Sequence, residues 1–527
     1  MQLRSVTACV SLVAGALVAL SGPTAQAATT TRYEAETSPA VCTGTIDSDW
    51  TGYSGSGFCN GTNSTGGYAQ FTVNAATAGT AAVNVRFANG TAAARPASLV
   101  VNGTTVQTPS FEATGAWSTW VTKALTVTLN AGANTVRLNP TSAQGLPNVD
   151  YVEATTADGT TPVPSGALYV APGGTDAAAG TQSAPTTLTS AISRVTAGGT
   201  IYLRGGTYTP SSTVTVPATA SGTASARTTL SAYPGETPVL DFSAQSESSS
   251  NRGLQLFASY WHVYGLVVQH AGDNGIYVGG SDNVVERTVT RYNRDTGLQL
   301  GRIASTTPAA QWPARNLILS AESHDNADSD GEDADGFAAK LTTGTGNVFR
   351  YAVSHNNIDD GWDLYTKTDT GPIGPVTIED SLSYGNGTLS DGTVNSNGDR
   401  NGYKLGGDDI AVDHVVRRSI AYRNGHHGFT YNSNPGSMTV SNNLSIDNAE
   451  RNYSWDAGTS VFRTDTSCRF AVSGSNDKTV GDADSSNQFW TGTNGSRCAS
   501  SYGGALAWSF ASNGQLVVTL GGSRVTL

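Results

Sequence analysis

Between residues 31 and 156, apolar and polar positions alternate with a period of two, in short runs divided by turn residues. Tyr68–Val73, Ala82–Phe87, Ser98–Val101 and Asn134–Leu138 each put their apolar side chains on one face. That is the period of a half-buried strand, and evenly spaced runs of this kind predict a jelly-roll β-sandwich. Its opening, Tyr33-Glu34-Ala35-Glu36, and its closing run, Asn148–Glu153, are expected to be neighbouring strands. Residues 157–166 hold Pro162 and Pro164 and show no periodicity, which predicts a linker.

From Ala167 the pattern changes. A polar-Gly-apolar triplet recurs about Gly275, Gly297, Gly336, Gly361, Gly402 and Gly428, at separations of 22, 39, 25, 41 and 26 residues. Repetition on this scale predicts the stacked coils of a parallel β-helix, right-handed by the crossover rule. The two long separations imply loops, placed at Arg302–Arg315 and within Lys367–Arg400. The expected fold class is all-β: a sandwich over 31–156, then a β-helix over 167–527. Asn293, Asn326, Asn356, Asn386 and Asn424 recur ahead of the triplets, as side chains stacked at a coil corner would.

The register assigns faces. Ile276, Leu298, Phe337, Trp362, Tyr403 and Phe429 each follow the glycine and point inward, so the second and fourth positions after it point outward. Those positions hold Asp363 and Lys404 on successive coils, ~4.8 Å apart, with Lys340 and Tyr365 one step further along. Asp335 and Asp360 stand just before their glycines, where Asp-Gly turn chemistry alone would account for them. Turn chemistry does not account for Asp363 or Lys404. With Asp359, these residues form one outward patch whose carboxylates would repel unless a hard cation such as calcium held them.

Composition sharpens that picture. Only 13% of the 527 residues are charged, and Lys123, Lys340, Lys367, Lys404 and Lys478 are the only lysines, three of them in or beside the acidic stretch. A net charge of −12 argues against nucleic acid as partner, and an acidic substrate would need a bridging cation. Arg4, the apolar run Ala8–Leu20 and Ala25-Gln26-Ala27 predict a secretory signal peptide over 1–27. Cys9 lies inside that apolar run, unlike a lipoprotein cysteine. No later apolar run is long enough to span a bilayer. The expectation is therefore an exported, membrane-free monomer. Cys42 with Cys59 and Cys468 with Cys498 form two local pairs suited to disulfides; a four-cysteine zinc site is the rival.

Two resemblances extend the reading. With its YEAE opening, Trp50–Gly57 loop, Trp117-Ser118-Thr119-Trp120 motif and Leu129–Leu138 strand, the first segment resembles a carbohydrate-binding module of family 35, a relative of family 6. The resemblance implies Glu34, Glu36 and Asp150 as structural calcium ligands and Tyr53, Trp117 and Asn148 as sugar contacts. Trp117 or Trp120 would equally fit the core. Residues 167–500, above all DADGFAAKL, NNIDDGWDLYTK and NGYKLGG, resemble polysaccharide lyase family 9, which includes pectate and exopolygalacturonate lyases. That likeness implies Asp335, Asp359, Asp360 and Asp363 as calcium ligands and Lys404 as the base. Lys340, Lys367 and Arg400 are candidates for holding substrate carboxylates, although Lys340 also fits a solvated strand position. The activity implied is β-elimination of polygalacturonate to 4,5-unsaturated oligogalacturonides, with pectic polysaccharide and plant cell-wall glycans as partners. Alternatives are a polygalacturonase-type hydrolase on the same fold, echoed by Gly425-His426-His427-Gly428, and a non-catalytic polysaccharide-binding β-helix.

Overall fold

A computed structural model describes residues 28–75, 79–157, 166–394, 397–470, 474–498, 502–511 and 513–527. The expected signal peptide over 1–27 and most of the expected linker lie outside the described residues. Two compact units divide between residues 163 and 164.

The first unit is a sandwich of two six-stranded sheets. Strand Ala28–Glu34 pairs with Asn148–Ala157, Tyr33 opposite Val152, so opening and closing runs are neighbours as the sequence suggests. Alternation in Ala69–Ala75, Gly79–Ala88 and Gly132–Pro140 turns Phe71, Val73, Val83, Val85, Val136 and Leu138 into a buried core between the sheets. A Cys42–Cys59 disulfide closes one end of the chain onto it.

The second unit is a parallel β-helix with three faces. One sheet has twelve strands and the other two have ten each. The third sheet runs through Ile276–Val278, Leu298–Leu300, Phe337–Ala339, Trp362–Asp363, Tyr403–Lys404 and Phe429–Thr430. Its register pairs Phe337 with Trp362, Trp362 with Tyr403, and Tyr403 with Phe429, as the triplets predict. Inside, these rings stack at centroid distances of 4.9, 4.8 and 4.5 Å. The rung spacing of ~4.8 Å thus doubles as a stacking distance that suits offset aromatic pairs.

The three turns of a rung differ sharply. From the strand Trp261–Tyr264 onward, the chain turns between the first and second sheets on two residues, and the first is left-handed; the preceding turn, 233–237, has five. Gly265, Arg287, Ser320, Tyr351, Asp380, Arg418, Asn442 and Thr464 occupy it, with φ of 49° to 73°. The extra residues of the long separations all lie at the other two turns. They divide between 325–336 and 385–402 on one side of the third sheet and 301–316 and 364–375 on the other. The expectation of one inserted loop per long separation is corrected accordingly: each insertion is split, and the halves wall a groove along the third sheet.

An asparagine ladder lines one corner, with one shift from the expected set. The ladder runs Asn293, Asn326, Asn357, Asn386, Asn424 and Asn448, each side chain bonded to the next. Asn357 replaces Asn356 because Asn356 takes the left-handed corner (φ 53°) and bonds to Thr388 instead. Asn357→Ala should lower stability by about 1–3 kcal/mol through the buried partners it strands. Asn356→Ala should cost clearly less; chemical denaturation of both variants checks the ladder.

The expectation of β-helix up to residue 527 is also corrected. The last strand of the parallel sheets is Asp482–Ala483, and Leu506–Phe510, Leu516–Leu520 and Ser523–Arg524 form an antiparallel sheet. It packs Val518 and Leu520 onto the outer face of the second sheet, over Val353, Leu382, Ile420 and Leu444. A Cys468–Cys498 disulfide ties the approach to it.

Candidate active site

Three successive rungs of the third sheet carry the candidate chemistry, and their glycines explain why. A Cβ on Gly361 would sit 2.2 Å from Ser383 Oγ and 2.5 Å from the Gly402 carbonyl oxygen. The glycine is required by this close packing of rung on rung. It lets the chain bend hard against the ladder, and the preceding residue is set at the floor of the groove.

There the carboxylates of Asp335, Asp359 and Asp360 come together, with one oxygen from each mutually within 4.8 Å. The surrounding backbone holds them in place. Asp399 and Arg400 donate their N–H groups to Asp359 Oδ1, Asn401 donates to Asp360 Oδ1, and Asp360 donates to Asp335 Oδ1. Asp360 Oδ2 is buried and receives no hydrogen bond. A buried, all-oxygen cluster with one unsatisfied oxygen fits a hard divalent cation. Asp363 stands outside that triad. Its Oδ2 lies 3.3 Å from Lys340 Nζ and 4.0 Å from Lys404 Nζ, and its Oδ1 accepts from the Tyr365 N–H.

Lys404 is 8% exposed, with Nζ 2.7 Å from Asp399 Oδ2 and 3.4 Å from Asp360 Oδ2. Lys340 is 7% exposed and bonds Asp335 Oδ2 at 2.8 Å, so it is no solvated strand residue. Nor is Lys404 on an open face: both outward positions lie sunk in the groove. Lys367 is exposed on the 364–375 turn, and Arg400, at φ 59°, lies beside Asp359 with its backbone.

The electrostatics are those of a crowded anion site. Burial, reinforced by neighbouring carboxylates, pushes Asp359 and Asp360 well above the ordinary carboxylate value, and Asp335 up to about 7. Burial alone would lower the Lys404 ammonium, but Asp363, Asp360, Asp399 and Asp359 outweigh it and hold the group charged.

Asp399 and Asp333 escaped the sequence reading. Both sit on extended turns without periodicity, and Asp399 reaches Lys404 only because its turn folds back over the groove. His426 and His427, with Glu450, make the second such cluster among the described residues, one rung past Lys404; His426 Nε2 lies 2.8 Å from Glu450 Oε2.

In the sandwich, the residues expected to hold calcium gather about one loop, Ser54–Ser56, with Ser54 Oγ bonded to both Glu34 and Asp150. Asp150 is fully buried and is bonded by Arg86 at 2.6 Å and by the Ser54 N–H. Glu34 accepts from Ser54 Oγ and Glu36 from the Ser56 N–H, on the same loop. Trp120 packs on Phe58 and donates to the Thr51 carbonyl oxygen, whereas Trp117 is half-buried near Arg95. Tyr53 lies against Phe58, and Asn148 is buried.

Comparison with known proteins places both units. Residues 168–465 match the family described as "Pel9A-like, right handed beta helix region", and 34–156 match "Carbohydrate binding module (family 6)". Pectate lyase L of Paenibacillus polymyxa is 58% identical over 263 residues, which cover 50% of this chain and 58% of that protein. Pectate lyase L of Thermoclostridium stercorarium is 48% identical over 228 residues, 43% of this chain and 18% of that protein. The crystal structure of pectate lyase Pel9A is 31% identical and superposes with a TM-score of 0.55, covering 64% of this chain and 82% of that one. The matched region thus spans little more than half of the first of these relatives and under a fifth of the second.

Proposed function

Since the chain belongs to the Pel9A-like right-handed β-helix family, we propose that it is a secreted, calcium-dependent pectate lyase cleaving polygalacturonate by β-elimination. One observation carries the reading: an amine, Lys404 Nζ, stands 3.4 Å from a buried carboxylate triad with an unsatisfied oxygen. Asp335, Asp359 and Asp360 would hold the cation together with Asp363, whose Oδ2 also faces the two lysines. Calcium bound there would draw charge from a substrate carboxylate and so acidify the proton on carbon five.

The chain's own residues do the rest. Lys404 accepts the carbon-five proton through its neutral amine, the carbon-four to oxygen bond breaks, and a double bond forms between carbons four and five. To be neutral, Lys404 must lose part of the anionic field that holds it charged, and that field is strongest when the triad is uncompensated. Asp399, 2.7 Å away, orients Nζ, and the departing oxygen takes its proton from solvent. Lys367 and Arg400 would meet further carboxylates of an acidic polymer.

A direct test is to incubate the protein with polygalacturonate, with and without chelator, and follow ultraviolet absorbance of the conjugated uronide. Chelator-sensitive absorbance is expected. Release of reducing ends without that absorbance, indifferent to chelator, would mean hydrolysis by paired carboxylates instead.

We assign the sandwich to family 35 within its family 6 likeness, with Trp117, Tyr53 and Asn148 as sugar contacts. Deleting residues 31–156 should leave turnover of short soluble oligouronides nearly intact and weaken retention on insoluble pectin, since a tethered module acts through effective concentration. Pull-down on insoluble pectin beside soluble turnover checks this. The two disulfides and the N-terminal leader pattern support export.

A further inference from the structure

On the reading of the groove as a lyase cleft, we propose that a cavity further along it, past Lys340, is a uronate-binding subsite, with Arg302, three rungs from Lys404, as its carboxylate anchor. The cavity has a volume of about 290 Å³ and is lined by Arg252, Tyr277, Gln299, Arg302, Lys340 and Thr342 among others. Tyr277 and Gln299 lie on successive rungs of the sheet that bears Asp363 and Lys404, and Lys340 directly follows the next. From Tyr277 to Lys404 is four rung spacings, about 19 Å. The cavity therefore continues the groove in which the reaction is placed.

Three cations face it, and two are already engaged. Lys340 is bound to Asp335 and Asp363. Arg252 lies over the Tyr277 ring at 3.4 Å, with Nε 3.2 Å from Asp273 and Nη1 donating to Gln255. Arg302 differs. Its backbone is pinned, the N–H donating to Thr342 Oγ1 at 3.0 Å and the carbonyl oxygen accepting from Tyr277 at 2.9 Å. Arg302 is part-buried, and its guanidinium makes no ion pair among the described residues. In a chain of net charge −12, a cation left without an acid and fixed at a groove wall is matched to an anion from outside. A guanidinium fork suits a carboxylate through two parallel bonds. The extended 301–316 turn that supplies Arg302 is one of the two insertions on that side of the groove, which ties it to the site and not to the helix core.

The test uses the full chain with Arg302→Gln and Arg302→Lys, on galacturonate oligomers from trimer to octamer and on polygalacturonate. A trimer bound across Lys404 is too short to reach Arg302, three rung spacings or about 14 Å away. Arg302→Gln should leave trimer turnover unchanged and raise KM about ten-fold on long substrates, the loss expected for one charge-assisted contact, with kcat little altered. Arg302→Lys should recover only part of it. Unchanged KM at every length would overturn the proposal, as would a uniform fall in kcat that includes the trimer. Calorimetric binding of long oligogalacturonates to wild type and Arg302→Gln separates this from the lyase reading. Weaker binding in the variant supports the subsite even if no elimination occurs, and equal binding refutes it. Carboxyl-reduced oligomers should bind both proteins alike; preferential loss of these neutral oligomers in the variant would refute a carboxylate anchor.

Discussion

Lys404→Ala is expected to lower elimination by about 10²–10⁴-fold, the range that a positioned acid or base contributes. Lys404→Arg should be nearly as inactive, since a guanidinium keeps its proton at any accessible pH. Wild-type activity should rise toward alkaline pH as the amine gives up its proton. The structure adds a second signature. Nζ neutralises Asp360 and Asp399 in the groove, so alanine leaves those carboxylates uncompensated. The variant should melt lower than wild type in chelator and regain most of that difference when calcium is added. Rate measurements alongside melting curves with and without calcium check both signatures. Residual elimination near the wild-type rate would move the base elsewhere, with Lys340 the next residue to replace.

Asp360→Asn should remove activity and also the stabilisation that calcium confers on the wild type, which grows with ligand concentration as binding linkage requires. Its effect without calcium has the opposite sign. Asp335, Asp359 and Asp360 have raised values in the folded protein, so the folded state holds more protons than the unfolded one. Their contribution to stability is full below the ordinary carboxylate value and is lost as pH rises through about 7, where Asp335 titrates. The calcium-free wild type should therefore weaken across that window, and Asp360→Asn should flatten the slope and be the more stable of the two at neutral pH. Urea titrations at pH 4.5 and 7.5 in chelator decide the matter; parallel slopes would remove Asp360 from the coupled cluster.

The rungs were legible in the sequence because a stacked coil writes its period directly into the chain. The residue after each triplet glycine is core on every rung, and that register alone brought Asp363 and Lys404 to one groove. The Asn356 to Asn357 shift shows the limit of such counting. Adjacent asparagines satisfy the same spacing, and only the left-handed backbone at Asn356 decides between them. Asp399 was illegible for a different reason. Its contact with Lys404 depends on how an aperiodic turn folds back, and no local pattern records that. Depth was also hidden. Alternation tells outward from inward, but the extended turns on either side convert an outward face into a buried one, which is why Lys404 and Lys340 are ion-paired and not solvated.

The two-residue corner between the first and second sheets acts as the spine of a bound book. Across eight rungs it has neither gained nor lost a residue, although its leading position is left-handed and mostly not glycine. A conformation that costs about 1–2 kcal/mol for an ordinary side chain persists there, on the rungs that flank the acidic groove, because a corner of constant length keeps both adjoining sheets in one register from rung to rung. The opposite margins are free to grow, and they hold Arg302, Asp333, Asp399 and Arg400. Diversification of such a protein toward other acidic polymers would therefore be written at those margins, with the spine left untouched.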